Sequence, residues 1–207
     1  MNILTPRYEE KFSLTPEQLK FALNYARFKI LRSYQVTNEY YDTSDLSTYW
    51  SAYNGDYTRK KLRLRSYSTS QNIIYSEVKH KVGKVTYKSR TKLSPDISNL
   101  KFHHHKKFLA HTLPFKDIFP VIKIQYNRLI LKDEPHERIT LDSNINYVFL
   151  RNGTHKKFFL TGNILEAKFF KTMSTETSFL LNFLNIKRTK SSKYALCIED
   201  FYQGEPV

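Results

Sequence analysis

At 207 residues, 40% hydrophobic and 15% aromatic, the chain can bury a sizeable core, which excludes a disordered protein and fits a single domain over 1–207. Its formal net charge of +15 demands an anionic partner: nucleic acid, a membrane surface or a small polyphosphate. The single cysteine, Cys197, excludes an internal disulfide framework; the N-terminus reaches charge at once and no apolar run is long enough to cross a bilayer, so a soluble, cytoplasmic protein is expected.

The first strand is expected at Arg7–Phe12, with Arg7, Glu9 and Lys11 on one face. Thr15 reads as an N-cap and Pro16 as the first residue of a helix carrying Leu19, Leu23 and Ala26 at helical spacing. β-branched and aromatic residues from Ile30 to Thr43 predict a long strand, followed by a short helical turn over Asp45–Tyr53 and a turn at Asn54-Gly55-Asp56. The tyrosines between Tyr34 and Tyr57, with Trp50, could stack bases, but packing beneath helices is the plainer reading.

The central stretch, Tyr57–Arg90, reads at period two as three strands joined by short turns. Arg63 and Arg65 share a face, with Leu62 and Leu64 on the other. Glu77, Lys79 and Lys81 align on the next strand, and Lys88 and Arg90 on the third. Cations held so densely on one sheet repel one another unless a polyanion sits among them. The stretch therefore reads as one wall of a phosphate-binding cavity.

Beyond it, Ser94-Pro95-Asp96 suggests a helix start, with weak helical patterning to about His111. The run Lys101–Lys107 holds three consecutive histidines, but adjacent helical positions point about 100° apart, so a solvated basic face is expected there rather than a metal site. A strand over Pro120–Lys132 places Tyr126 and Arg128 together, and a turn at Asp133-Glu134-Pro135 returns a strand with Arg138, Thr140 and Asp142 aligned. Asp142 shares a face with Arg138 and reads at least as readily as a salt-bridge partner as a metal ligand. Asn152-Gly153 marks a further turn, Asn163–Phe170 a strand with Glu166 and Lys168 on one face, and Thr175–Leu184 a helix. Ser192-Lys193-Tyr194 has the bland reading of a strand start.

One pattern recurs. Glu9-x-Lys11, Glu77-x-Lys79-x-Lys81 and Glu166-x-Lys168 each set a carboxylate beside an ammonium on one strand face. Interleaved with Arg63, Arg65, Arg90, Arg128 and Arg138, these argue for a barrel lumen rather than surface decoration, and against nucleic acid. The opposite faces, with Leu62, Leu64, Val78, Ile139, Leu141, Leu165 and Phe169, suit burial under helices. Arginine forks and lysines bind phosphate oxygens, whereas glutamates reach phosphate only through a divalent cation such as Mg²⁺ or Mn²⁺.

The set RYEEKF, YYDTSDLSTYW, KLRLRSY, SEVKHK, TYKSR, YNR, RITLD, ILEAKF and SKY resembles the triphosphate tunnel (CYTH-like) superfamily, and within it most the VTC domain, from Arg7 to Phe201. The resemblance implies an α+β fold: an antiparallel eight-stranded β-barrel tunnel braced by helices. It implies a polymerase moving the γ-phosphoryl group of ATP onto a growing polyphosphate chain with Mn²⁺ or Mg²⁺. Carried over by position, Lys11, Arg63, Arg65, Lys79, Arg128, Arg138, Glu166 and Lys193 would serve catalysis. Phosphates would be held by Lys11, Arg63, Arg65, Lys79, Lys88 and Arg90, with Lys81, Arg128, Arg138, Lys168 and Lys193 extending the set. Glu166 would be the principal metal ligand, with Glu9 and Glu77 as further candidates. The hydrolytic branch opens with Glu-x-Glu-x-Lys, and here Arg7 replaces its first glutamate, which favours transfer over hydrolysis. A tunnel phosphohydrolase acting on inorganic or nucleoside triphosphates, and a non-catalytic polyanion binder, remain the alternatives.

Overall fold

The computed structural model describes residues 7–25, 29–70, 73–83, 85–93, 118–150, 156–189 and 192–204. The helix expected from Ser94, the histidine run and the Asn152-Gly153 turn lie outside them. The strands are β1 (Arg7–Leu14), β2 (Arg32–Asp42), β3 (Thr58–Tyr67), β4 (Ile74–Val82), β5 (Val85–Leu93), β6 (Phe119–Asp133), β7 (Glu137–Phe149), β8 (Lys157–Phe159) and β9 (Asn163–Phe170). The helices are α1 (Pro16–Asn24), α2 (Ser47–Asn54), α3 (Thr175–Phe183) and α4 (Lys193–Gly204). Eight strands follow one hydrogen-bonded order, β1-β9-β7-β6-β2-β3-β4-β5, and β8 pairs with β7. The registers of β1–β9, β7–β9 and β2 to β5 are all antiparallel, as the α+β reading requires.

The chain divides into two compact units. The first holds residues 1–35, 126–145 and 160–190. Its core is the outward-alternating set of β1, β7 and β9, namely Phe12, Leu14, Ile139, Leu141, Leu165 and Phe169, closed by Ala22 of α1 and Leu180 and Leu181 of α3. Both helices start as the sequence indicates. Thr15 and Gln18 form a reciprocal capping box on α1, with Pro16 inside it, and the Ser174 side chain accepts from the Thr177 N–H of α3.

The second unit holds residues 36–125, 146–159 and 191–207. Tyr41, Leu62, Val78 and Ile118 cluster on the apolar face of β2, β3 and β4, with Leu64 packed against them. This leaves the alternate face, with the arginines and lysines, on the other side of the strands. Ser192-Lys193-Tyr194 opens a helix, α4, rather than a strand. Tyr194, Cys197 and Ile198 recur at helical spacing and are all buried, and the Ser192 hydroxyl accepts from the Ala195 N–H. The aromatic run is mixed: Tyr40, Tyr41 and Tyr49 are buried, whereas Trp50, Tyr53 and Tyr57 are exposed.

Candidate functional site

In the second unit, pairing brings the charged residues of β3, β4 and β5 into rows. Arg63 faces Glu77, and Glu77 faces Arg90 across the next pair. One step along, Lys61, Lys79 and Lys88 form a second row; one step the other way come Arg65, Tyr75 and Lys92. Lys81 lies opposite Arg59.

Glu77 is the centre of this face. Its carboxylate is almost fully buried, and one oxygen accepts from Arg63 Nε at 2.7 Å while Arg63 Nη2 lies 2.6 Å away. Arg65 Nη1 is 3.8 Å from the same oxygen; Lys88 Nζ and Arg90 Nε stand 3.1 Å and 3.5 Å from the other. Burial alone would raise the Glu77 carboxyl, but Arg63, Arg65 and Lys88 hold it down at about 2. Glu77 thus sits among cations rather than oxygen donors, and a metal ion there would have to displace the arginines.

The inner and outer cations differ. Arg63 spends its fork on Glu77 and gives Nη1 to the Tyr40 hydroxyl at 3.1 Å; Arg65 is buried and donates Nε to Asn38 Oδ1 at 2.6 Å. Lys88 and Arg90 have side chains 47% and 41% exposed, so they offer charge outward. The Arg90 guanidinium lies 3.7 Å from the Tyr75 ring centroid, which fixes its plane. Burial pulls the Lys88 ammonium below its ordinary value, with Arg63 and Arg65 acting in the same sense and Glu77 opposing. Burial would raise the Tyr40 phenol, yet Arg63, Arg65 and Lys193 together bring it down, which places Lys193 of α4 near this cluster. Asn38 and Tyr40 were not among the expected site residues. Their alternation with the arginines emerges only once β2 is paired to β3, as Asn38 to Arg65 and Tyr40 to Arg63.

In the first unit, Lys11 pairs with Glu166 and Glu166 with Thr140, while Glu9 pairs with Lys168 and Lys168 with Arg138. Lys11 Nζ is 3.1 Å from Glu9. Lys168 contacts Glu166 Oε1 directly and stands 3.9 Å from Glu9 Oε2. A positive charge therefore already lies where two carboxylates converge. Mg²⁺-like ions use one or two protein carboxylates and take their remaining oxygens from phosphate and water, so Glu166 and Glu9 would fit a hard divalent ion that takes the place of the Lys168 ammonium. Among the described residues no group of three or more His, Cys, Asp or Glu could enclose one.

Arg128 and Asp142 settle on each other. Nε reaches Oδ1 at 2.6 Å and Nη2 reaches Oδ2 at 2.7 Å, both groups being buried. Burial works against the Arg128 charge, but Tyr126 and Asp142 push its pKa well above the ordinary range. This is the ion-pair reading of Asp142. Asp142→Asn, which strands a buried guanidinium, is expected to cost about 3 kcal/mol of stability, read as a lower urea midpoint. Arg138 Nε lies 3.6 Å from Asp133 Oδ1.

The fold is similar to that of several solved proteins. A candidate adenylate cyclase from Bacillus halodurans superposes with a TM-score of 0.61 at 14% identity, covering 94% of this chain and 96% of that one. A candidate adenylyl cyclase from Hippeastrum, whose dominant activity is that of a triphosphatase, gives 0.58 at 14% identity, covering 98% of each. A protein from Pyrococcus horikoshii gives 0.56 at 13% identity, over 94% of this chain and 99% of that one. No curated protein matches the sequence. The sequence profile of the VTC domain matches residues 7–202, and the chain belongs to the VTC domain family.

Proposed function

We propose that the chain is a metal-dependent polyphosphate polymerase that transfers the γ-phosphoryl group of ATP to a growing polyphosphate chain. The observation that carries this reading is the extent of the cation face. The rows Arg59–Lys81, Lys61–Lys79–Lys88, Arg63–Arg90 and Arg65–Lys92 follow one another along β3, β4 and β5. Successive rows are two residues apart, about 6.6 Å, so four rows reach farther than a single triphosphate needs. Family membership supports the same reading, as does Arg7 at the start of β1, the place the resemblance gives to the first glutamate of the hydrolytic branch.

Phosphoryl transfer is mostly positioning and charge neutralisation. Glu77 keeps the four cations around it from dispersing, Tyr75 holds the Arg90 plane, and Lys88 and Arg90 meet phosphate oxygens. Glu166, with Glu9 beside it, would hold a divalent ion that neutralises charge developing on the transferred group. The terminal phosphate of the acceptor is itself the nucleophile, so no serine or histidine nucleophile is required.

The runner-up is a tunnel phosphohydrolase, the activity type of the Hippeastrum protein. Incubation with ATP and Mn²⁺, followed by a gel that resolves long anionic polymers, separates the two. A ladder of polymer with stoichiometric ADP is expected, and orthophosphate alone would overturn the polymerase reading.

A further inference from the structure

We infer that Asp42 is a positioning residue for the phosphate-binding face, acting through the Tyr194 hydroxyl to fix the first turn of α4 and with it Lys193. The inference rests on the phosphate-binding reading of that face. Asp42, the last residue of β2, is fully buried, and its charge is met by hydrogen bonds from Thr43, Thr48, Tyr49 and Tyr194. Part of its work is local. Leu46, at the N-cap of α2, has a left-handed backbone and no side-chain cap, so Asp42 receives the Thr48 N–H at 2.9 Å and the Tyr49 N–H at 3.0 Å in its stead. The Thr48 hydroxyl adds a bond at 2.7 Å, and the Thr43 N–H one at 2.8 Å.

Capping α2 needs nothing more, yet the Tyr194 hydroxyl, far along the chain, donates to Asp42 Oδ2 at 2.6 Å. Tyr194 is buried and follows Lys193 directly, so its bond sets how the start of α4 is rotated. The same ring stacks on Tyr40 with centroids 5.0 Å apart, and the Tyr40 hydroxyl accepts from Arg63. On the other side of Lys193, the Ser192 hydroxyl accepts from Lys61 Nζ at 2.6 Å. Lys193 is therefore held from both neighbours, once by the β3 lysine and once by Asp42.

The test is a double-mutant cycle read by metal-free calorimetric titration with tripolyphosphate, using the full chain. Tyr194→Phe removes one hydroxyl and leaves the stack and the α2 cap in place. It is expected to weaken binding roughly tenfold, the size of effect seen for residues in direct contact. Lys193→Ala should weaken binding as well, and the double variant should be no weaker than Lys193→Ala within about twofold. Additive losses, unchanged binding in Tyr194→Phe beside a lowered melting temperature, or unchanged binding in Lys193→Ala would each overturn the inference. Should Tyr194→Phe fail to fold, Asp42→Asn takes its place in the same cycle. The cycle does not depend on turnover. Orthophosphate as the only product from ATP would therefore remove the polymerase reading while leaving non-additivity, and this inference, intact.

Discussion

Glu77→Gln is expected to be among the most destabilising single changes in the β3–β5 face, and tripolyphosphate is expected to reverse much of the loss. The substitution removes the negative charge that Arg63, Arg65, Lys88 and Arg90 share and leaves their mutual repulsion less compensated. Removing one partner of a buried ion pair costs about 3–5 kcal/mol. Lys88 and Arg90 are substantially exposed, so solvent screens their share and the lower end applies. At roughly 2–4 °C per kcal/mol for a chain of this size, the melting temperature should fall by about 6–12 °C. Phosphate supplied in excess returns the missing charge: at a hundred times its Kd, a ligand adds about 2.7 kcal/mol. A variant as stable as the parent, or one that tripolyphosphate fails to stabilise, would contradict the counterion role.

The pH dependence has a definite sign. The Glu77 carboxyl is lowered from 4.5 to about 2 in the folded protein, so it binds its proton more readily when unfolded. Its contribution is fully present above about pH 4.5 and is lost as pH falls toward 2. The stability curves of the parent and of Glu77→Gln should therefore lie apart at neutral pH and converge at the acid end.

Glu166→Gln is expected to abolish turnover while the protein stays folded. Its carboxylate faces Lys168 and Thr140 on the charged side of β9, whereas the neighbours Leu165 and Ala167 carry the core contacts. A divalent ion contributes several kcal/mol of transition-state charge stabilisation, and each 1.36 kcal/mol is tenfold in rate, so a loss of roughly 10³-fold or more is expected. Metal-free tripolyphosphate binding should be no weaker than in the parent, because a negative charge has been deleted. Retained Mn²⁺-dependent turnover would show that Glu166 does not hold the metal, and an unfolded variant would show that its side chain serves packing rather than the charged face.

The charged rows were legible because strand alternation is a property of sequence alone. Arg63 with Arg65, Glu77 with Lys79, and Glu166 with Lys168 fall on shared faces whatever the pairing. Their apolar complements, Leu62, Val78, Ile139, Leu141 and Leu165, are buried accordingly. What one strand cannot reveal is which residue stands opposite it. Whether Glu77 meets a metal or arginines depends on β3 and β5 arriving at the registers Arg63–Glu77 and Glu77–Arg90. The same holds for Asn38 and Tyr40, which join the site only by pairing with Arg65 and Arg63. The SKY motif was misleading locally: three residues cannot display a helical period, whereas Tyr194, Cys197 and Ile198 together do. Asp42 as the cap of α2 was hidden because Leu46 occupies the cap position itself and the carboxylate comes from four residues earlier.

Whether the β3–β5 face takes a phosphate chain is tested most directly by calorimetric titration of tripolyphosphate into the parent, Lys88→Ala, Arg90→Ala and Lys20→Ala. Lys20 is an exposed cation of α1 and controls for net charge. The expected result is binding to the parent that weakens with salt, a loss of roughly 1.5–3 kcal/mol in Lys88→Ala and in Arg90→Ala for one charge-assisted contact each, and no more than a few tenths in Lys20→Ala. Equal losses in all three variants would mean that only total charge matters, and would contradict a phosphate site built around Glu77.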